Sequence, residues 1–363
     1  MIPEAVSTTS PVKLSGLTLR LYEPGDELEI LPLWSNAFSR QRSVDHWRWR
    51  FEQNPLGRAI VVVCSDDASG RIVGHLGTVA QRLRTGDATA LSYQLVDAVI
   101  HPDFKLKGVF QGLVQFIERA ARDQSARLIT GYPNEKSLPI LTRQLGYHQF
   151  VSYHSYELKL RSITDVGKRE SKMMTAARRA LNTMRRRRLT ARELRLARGA
   201  GHVSFRIGNC LPARLPSCDG LGSIFVDKDD AYLRWRYEEN PSHTFEYSWL
   251  SDGDEILLLA VVNGERDVAT ICDLIATTSR AVEYVPLLMA RVASVYFQKG
   301  HRRLRLWANG EIISSSLAKT FPVRRSTPLV GIQKVLAEPA DRPIVDVSRS
   351  RNWWVTFGDT DAY

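Results

Sequence analysis

A nine-residue phrase occurs twice in this chain. Residues 47–55 read WRWRFEQNP and residues 233–241 read LRWRYEENP. Arg48/Arg234, Trp49/Trp235, Arg50/Arg236, Glu52/Glu238, Asn54/Asn240 and Pro55/Pro241 are identical, and Phe51 is answered by Tyr237. Such a phrase recurs either as a repeated binding element or because a whole domain has been copied, and its surroundings separate the two cases. Before the first copy, LTLRLY alternates like a strand and a helix follows with Asp26 as its N-cap. After it come a hairpin (AIVVVCS, DDASG, IVGHLGTV), the strand ALSYQLVDAVI, a basic turn and a helix. That helix places Phe110, Leu113, Val114, Ile117 and Ala121 on one face. The strand RLITGYP, the short helix SLPILTRQL and the strand VSYHSYELKL complete the series.

The second copy is followed by the same order: a hairpin (TFEYSWL, SDGDE, ILLLAVV), the strand ATICDLI, a helix around VPLLMARVASVYF and the strand RRLRLWAN. Asn134 lies 37 residues after Asp97, and Asn309 lies 36 after Asp273. Shared order with matched spacing points to a copied domain. The expected fold is α/β, with two domains at 12–160 and 205–340, each a mixed, mostly antiparallel central sheet flanked by helices. A basic helical linker, 161–204, joins them, and 341–363 forms a tail. Within the phrase, Trp49 and Trp235 are expected to anchor a helix to the sheet, with the arginines solvated or capped by nearby carboxylates.

A chain of 363 residues suffices for two cores, and 44% hydrophobic with 25% charged residues suits a globular protein. The longest apolar run, ILLLAVV, is strand-sized and far from the ~18 residues of a membrane helix. No basic, apolar leader opens the sequence, and Cys64, Cys210, Cys218 and Cys272 lack metal-ligand spacing, so a cytoplasmic address without a zinc site is expected. The formal charge of +11 is local: residues 161–200 hold thirteen Lys/Arg against three Asp/Glu, a balance of +10. Met173, Ala177, Leu181 and Met184 form a narrow apolar stripe there, which would rest on the domains or meet an anionic membrane face. Aromatic interleaving is missing, which argues against nucleic acid. In the tail, Trp353 and Trp354 are expected to pack on a domain, and Asp359 with Asp361 forms a bare Asp-x-Asp pair as a metal guess.

The chemistry concentrates in VDAVIHPDFKLKGVFQGLVQFIERA, residues 96–120. A strand runs through a turn into a helix, and the first-turn amides of that helix, with its dipole, suit a phosphate group. Lys105 and Lys107 add positive charge, and Gly108 lets the backbone approach closely. This stretch resembles the acetyl-CoA signature of the GCN5-related N-acetyltransferase (GNAT) family, Gln/Arg-x-x-Gly-x-Gly/Ala. Lys105 stands at the Gln/Arg position, Gly108 at the first glycine, and Phe110 replaces the second small residue. PNEKSLPILTRQLGY (133–147) resembles the later asparagine-to-LGF motif of that family.

The resemblance implies backbone contacts from Val99 and Ile100 to pantetheine, and turn amides of Leu106, Lys107, Gly108, Val109, Phe110 and Gln111 on the pyrophosphate. Asn134 would lie near the pantetheine arm. Thr142 occupies the place of the family's usual tyrosine acid, and Tyr147 is expected to pack. Asp97 is the one carboxylate on the key strand; it would accept the acceptor's proton, directly or through water, or else pair with an arginine or cap a turn. In the second half no glycine stands at the phosphate turn and Glu283 adds negative charge, so no pyrophosphate is expected there. The implied activity is acyl transfer from acetyl-CoA, without a metal, to an amine or hydroxyl of a small molecule or saccharide such as an amino sugar. The competing expectation is a non-catalytic CoA-binding or scaffold protein.

Overall fold

Strand and helix formation follows the sequence pattern closely. The computed structural model describes residues 10–57, 59–105, 108–162, 171–213, 215, 222–265, 267–309, 317, 321, 323–336 and 346–360. The chain divides into two units. Unit 1 comprises Met1–Val151, Glu239–Ser242 and Pro328–Arg349; unit 2 comprises Ser152–Glu238, His243–Thr327 and Ser350–Tyr363. The divisions therefore fall elsewhere than at 160, 205 and 340. Residues 328–336 and 346–349 fall in the first unit, and the described residues of the basic segment from 171 onward fall in the second.

In unit 1, β1 (Val12–Leu14), β2 (Leu17–Leu21), β3 (Val62–Asp66), β4 (Ile72–Thr85) and β5 (Ala88–Ile100) pair antiparallel in that order. β6 (Leu128–Gly131) pairs parallel with β5, and residues 332–335 of β14 (Val323–Val335) pair antiparallel with β6. Helices α1 (Glu27–Phe38) and α2 (Val44–Phe51) pack on β4. α3 (Val109–Asp123) buries Leu113, Val114, Phe116 and Ile117 completely, each contributing roughly 1.5–3 kcal/mol by removal from water. α4 (Leu138–Gln144) and Tyr147 join that core. Asp26 holds the N-cap position of α1, but its carboxylate turns to Arg20 at 2.6 Å rather than capping the helix. Trp47, Trp49 and Phe51 are buried, so the aromatic half of the phrase is the anchor its composition suggests.

β7 (His148–Lys159) ends unit 1 and begins unit 2. In unit 2, β8 (Val203–Gly208), β10 (Glu246–Asp252), β11 (Glu255–Asn263) and β12 (Val268–Ala276) run antiparallel in sheet order. β13 (Arg303–Ala308) pairs parallel with β12 and antiparallel with residues 154–159 of β7. β9 (Ile224–Val226) and α6 (Asp230–Leu233) lead into the second phrase copy, where Arg234–Glu238 winds as a π-helical turn rather than an α-helix. α7 (Val285–Gln298) is buried along most of its length.

α5 (Lys172–Ala197) corrects one expectation. It touches the unit 2 core through Leu189, Leu196 and Ala197, and Glu193 on the same face pairs with Arg291 and accepts from Ser294 at 2.6 Å. The stripe of Met173, Leu181 and Met184 does not rest on the unit. It faces solvent, with Met173 79% exposed.

Candidate active site

The site begins where a ladder stops. β5 and β6 pair from Ser92/Leu128 to Leu95/Gly131, and among the described residues no ladder continues on that side, so the β5 backbone from Val96 onward presents an open edge there. One extra residue on β5 opposite β4 makes a β-bulge, and within it Asp97 takes a left-handed φ of 56°. The bulge turns the Asp97 side chain toward α1 and α2.

There the carboxylate is saturated. Oδ2 accepts from Arg42 and, at 3.0 Å, from Arg50, and Oδ1 accepts from Trp34 Nε1 at 3.2 Å. The Arg42 guanidinium lies 3.9 Å over the Trp34 ring. His75 bonds through Nδ1 to the Asp97 carbonyl at 3.0 Å. Burial alone would raise the Asp97 carboxyl, but the charges of Arg50 and Arg42 outweigh it and hold the group well below the usual carboxylate range. Burial pushes His75 the other way from its charged form, below the ordinary histidine value. A carboxylate so stabilised in its charged form is a weak base. The geometry thus favours the arginine-pairing reading of Asp97 over the proton-accepting one.

Beyond β5, Gly108 caps α3 at φ 73°, and a side chain there would meet no atom within 4 Å. The first intrahelical bond runs from Gly112 N to Gly108 O at 2.9 Å, which leaves the amides of Val109, Phe110 and Gln111 ahead of the helix ladder. Val99 is buried and pairs with His75; Ile100 is half-buried and pairs with Gly74. Lys105 is exposed. Leu106 and Lys107 lie outside the described residues. Gln111 also donates from Nε2 to Gln144 at 3.0 Å, tying α3 to α4.

Asn134 and Thr142 hold local structure. Asn134 Oδ1 accepts from the amides of Lys136 and Ser137, both at 3.0 Å, and so starts the turn into α4. Thr142 donates to the Leu138 carbonyl at 2.9 Å within that helix, which occupies its one proton. Tyr147 is buried in the core.

Unit 2 repeats the framework with the site changed. β12 and β13 pair up to Ile271/Leu306. The ladder thus ends two residues before Asp273 and three before Asn309, as the β5/β6 ladder ends two before Asp97 and three before Asn134. A β-bulge again sits beside the aspartate, between Val261 and Val262 of the partner strand. Asp273 is fully buried and bonded to Lys228 at 2.7 Å, Tyr237 at 2.8 Å and Thr356 at 2.9 Å. At α7, Pro286 lacks an amide proton, and Val285, Leu287 and Leu288 bury the first turn. Among the described residues of unit 2, no exposed amide cradle matches that of α3.

The metal guess fails at Asp359, whose carboxylate pairs with Lys228 at 2.8 Å and caps the Thr356 amide at 2.7 Å. Asp361 lies outside the described residues. Sequence reasoning also missed Trp34, Arg42, Arg50 and His75 around Asp97. Arg50 alone left a signal, as a member of the repeated phrase.

A parallel pair that parts beside a bulge, with a glycine-started helix at its mouth, defines unit 1 as a domain of the GNAT class. Residues 18–150 match the family model described as Acetyltransferase (GNAT) domain. Solved structures extend the likeness beyond those residues. A probable N-acyltransferase from Enterococcus faecalis V583 superposes at TM-score 0.58 and 9% identity, over 88% of this chain and 73% of that one. A GCN5-related N-acetyltransferase from Anabaena variabilis gives 0.56 at 12% identity over 88% and 73%, and Eis1 from Mycobacterium abscessus gives 0.54 at 11% over 88% and 74%. At these identities the likeness is one of fold. No curated protein matches the sequence. Among the described residues, no helix is long and apolar enough to cross a membrane.

Proposed function

We propose that this protein transfers an acetyl group from acetyl-CoA to an amine or hydroxyl acceptor, an amino sugar among the candidates, and that unit 1 carries the reaction. One observation carries the reading. The open β5 edge from Val96 to Ile100 leads directly to the exposed, glycine-started N-terminus of α3. The residues present fit the group: an extended amide-bearing arm matches an unpaired strand edge, and a pyrophosphate matches first-turn amides with empty space at Gly108. Acetyl-CoA, when bound, supplies the activated thioester.

The chain's own part is to bind and position. Val99 and Ile100 offer backbone groups along the edge, and Val109, Phe110 and Gln111 offer amides. Asp97 acts as a positioning residue: it fastens Arg42, in the connection between α1 and α2, to the strand an acceptor must approach. With Asp97 held charged by two guanidinium groups and Thr142 bonded within α4, the acceptor's proton passes to water rather than to either side chain. Unit 2 is proposed as a copied domain without a cofactor site. Turnover with a panel of amines and amino sugars tests the proposal. Binding of CoA with no transfer to any of them would favour the scaffold reading.

A cytoplasmic protein with a membrane-facing helix is the second reading, and α5 favours it. Met173, Met174, Met184 and Leu194 are 79%, 58%, 50% and 58% exposed among the arginines of that helix. An apolar stripe flanked by cations is the pattern of a helix lying on an anionic bilayer.

A further inference from the structure

Unit 2 keeps the strand parting that unit 1 proposes for its cofactor, and something fills it. β12 and β13 separate after Ile271/Leu306, and the segment 353–360 bonds to both. On the β13 side, Asn309 N donates to Val355 O at 3.3 Å, its Nδ2 donates to the Trp353 carbonyl, and Ala308 forms an antiparallel bridge with Thr356. On the β12 side, Trp354 Nε1 donates to Leu274 O at 3.2 Å and Thr356 Oγ1 donates to Asp273 at 2.9 Å. Asn309 is the residue that stands where Asn134 stands in unit 1, and Leu274 directly follows the strand aspartate.

The fit is that of a ligand in a site. Trp353, Val355, Thr356, Asp359 and Thr360 are each 2% exposed or less. Arg236, from the second phrase copy, donates to the carbonyls of Gly358 at 3.1 Å and Thr360 at 2.6 Å, and Lys228 bridges Asp273 and Asp359. A side chain on Gly358 would overlap the Tyr237 hydroxyl.

We infer that the cleft of unit 2 is a peptide slot, and that its ligand is the chain's own segment 353–360. The retained parting supplies unpaired strand groups, which an extended peptide satisfies as readily as a pantetheine arm. What has changed is the polar lining: buried cations now meet carbonyls and a carboxylate of the tail, while the phosphate-binding helix start is sealed. The inference does not depend on the acceptor or on turnover by unit 1.

A protease site placed between Arg349 and Ser350 allows the folded chain to be cut. The released end should co-elute with the rest in native buffer and separate only on unfolding. After separation and refolding, a synthetic peptide of residues 350–360 should bind again and restore the thermal transition, with Gly358→Ala weakening that binding at least tenfold. CoA stoichiometry should be the same with and without the peptide. Loss of the cut end with an unchanged thermal transition overturns the slot, as does equal binding of the Gly358→Ala peptide. A second CoA site in the stripped protein also overturns it, since the cleft would then be a covered cofactor site. Should the stripped chain fail to refold, amide exchange in the intact chain decides. The amides of Trp354 and Asn309 should exchange only with global unfolding, and exchange at loop rates would refute the inference.

Discussion

Arg50 donates from Nη1 to Asp97 Oδ2 across 3.0 Å, with 3% and 6% of the two side chains exposed. The first belongs to the repeated phrase and the second to the strand bulge, so this one contact fastens α2 to β5 beside the open edge. Removing one member of a buried pair strands the other, at a cost of about 3–5 kcal/mol. Asp97→Asn should therefore lower unfolding free energy by that order in denaturant titration, and Asp97→Asn combined with Arg50→Met should recover part of it. A single variant as stable as the parent but slower by about 10²–10⁴ would restore Asp97 as proton acceptor.

Acid should act through the same cluster. The folded-state Asp97 carboxyl lies below its unfolded value of about 3.9, so its stabilisation is complete above that value and is lost as pH falls below it. His75 adds in the same direction, because burial lowers its folded value and the unfolded chain takes up a proton below about pH 6.5. Denaturation midpoints of the parent should begin to fall below about pH 6.5 through His75 and fall further below about pH 4 through Asp97. Asp97→Asn should show a shallower fall, and equal slopes would remove Asp97 from the account.

Calorimetry should count one CoA per chain, at unit 1. Gly108→Glu should abolish that binding while the protein stays folded, because the new side chain enters open space but places a carboxylate against the first-turn amides. The left-handed φ of 73° adds a strain of about 1–2 kcal/mol, visible as a modest fall in melting temperature. Two CoA sites of similar affinity would contradict the sealed start of α7.

Arg185, Arg186, Arg187 and Arg188 lie on α5, and three of them are exposed; Arg185 donates to Ser162 at 2.9 Å. Replacing all four by glutamine keeps helix propensity and removes four charges. Co-sedimentation with anionic vesicles should be lost, with little change in melting temperature or CoA affinity. Binding by the parent should also fade with salt, since the screening length shrinks from about 10 Å at 0.1 M to about 3 Å at 1 M. A melting temperature several degrees lower with no vesicle binding in either protein would make α5 an internal strut.

Much of this was legible in the residue order. Alternation and 3.6-residue periodicity marked β2 to β6 and α3, because burial on one face forces a repeating pattern on any sequence that folds this way. The copied phrase and the spacing from Asp97 to Asn134 and from Asp273 to Asn309 exposed the repeated element order for the same reason. A glycine after a basic turn marked the start of α3, since a left-handed φ there excludes most other residues. The partners of Asp97 were not legible. Trp34 comes from α1, Arg42 from the connection after it, Arg50 from α2 and His75 from a strand, and no local pattern encodes a contact made by packing. The destination of the tail was equally hidden. That Trp354 and Thr356 close a strand parting more than forty residues upstream depends on Asp273, Lys228 and Arg236 being buried together, and chain separation carries no trace of it. Where α5 turns its methionines was decided by Glu193 and Leu189 on the other face. An amphipathic sequence shows that a helix has two faces, and only its neighbours select which one is covered.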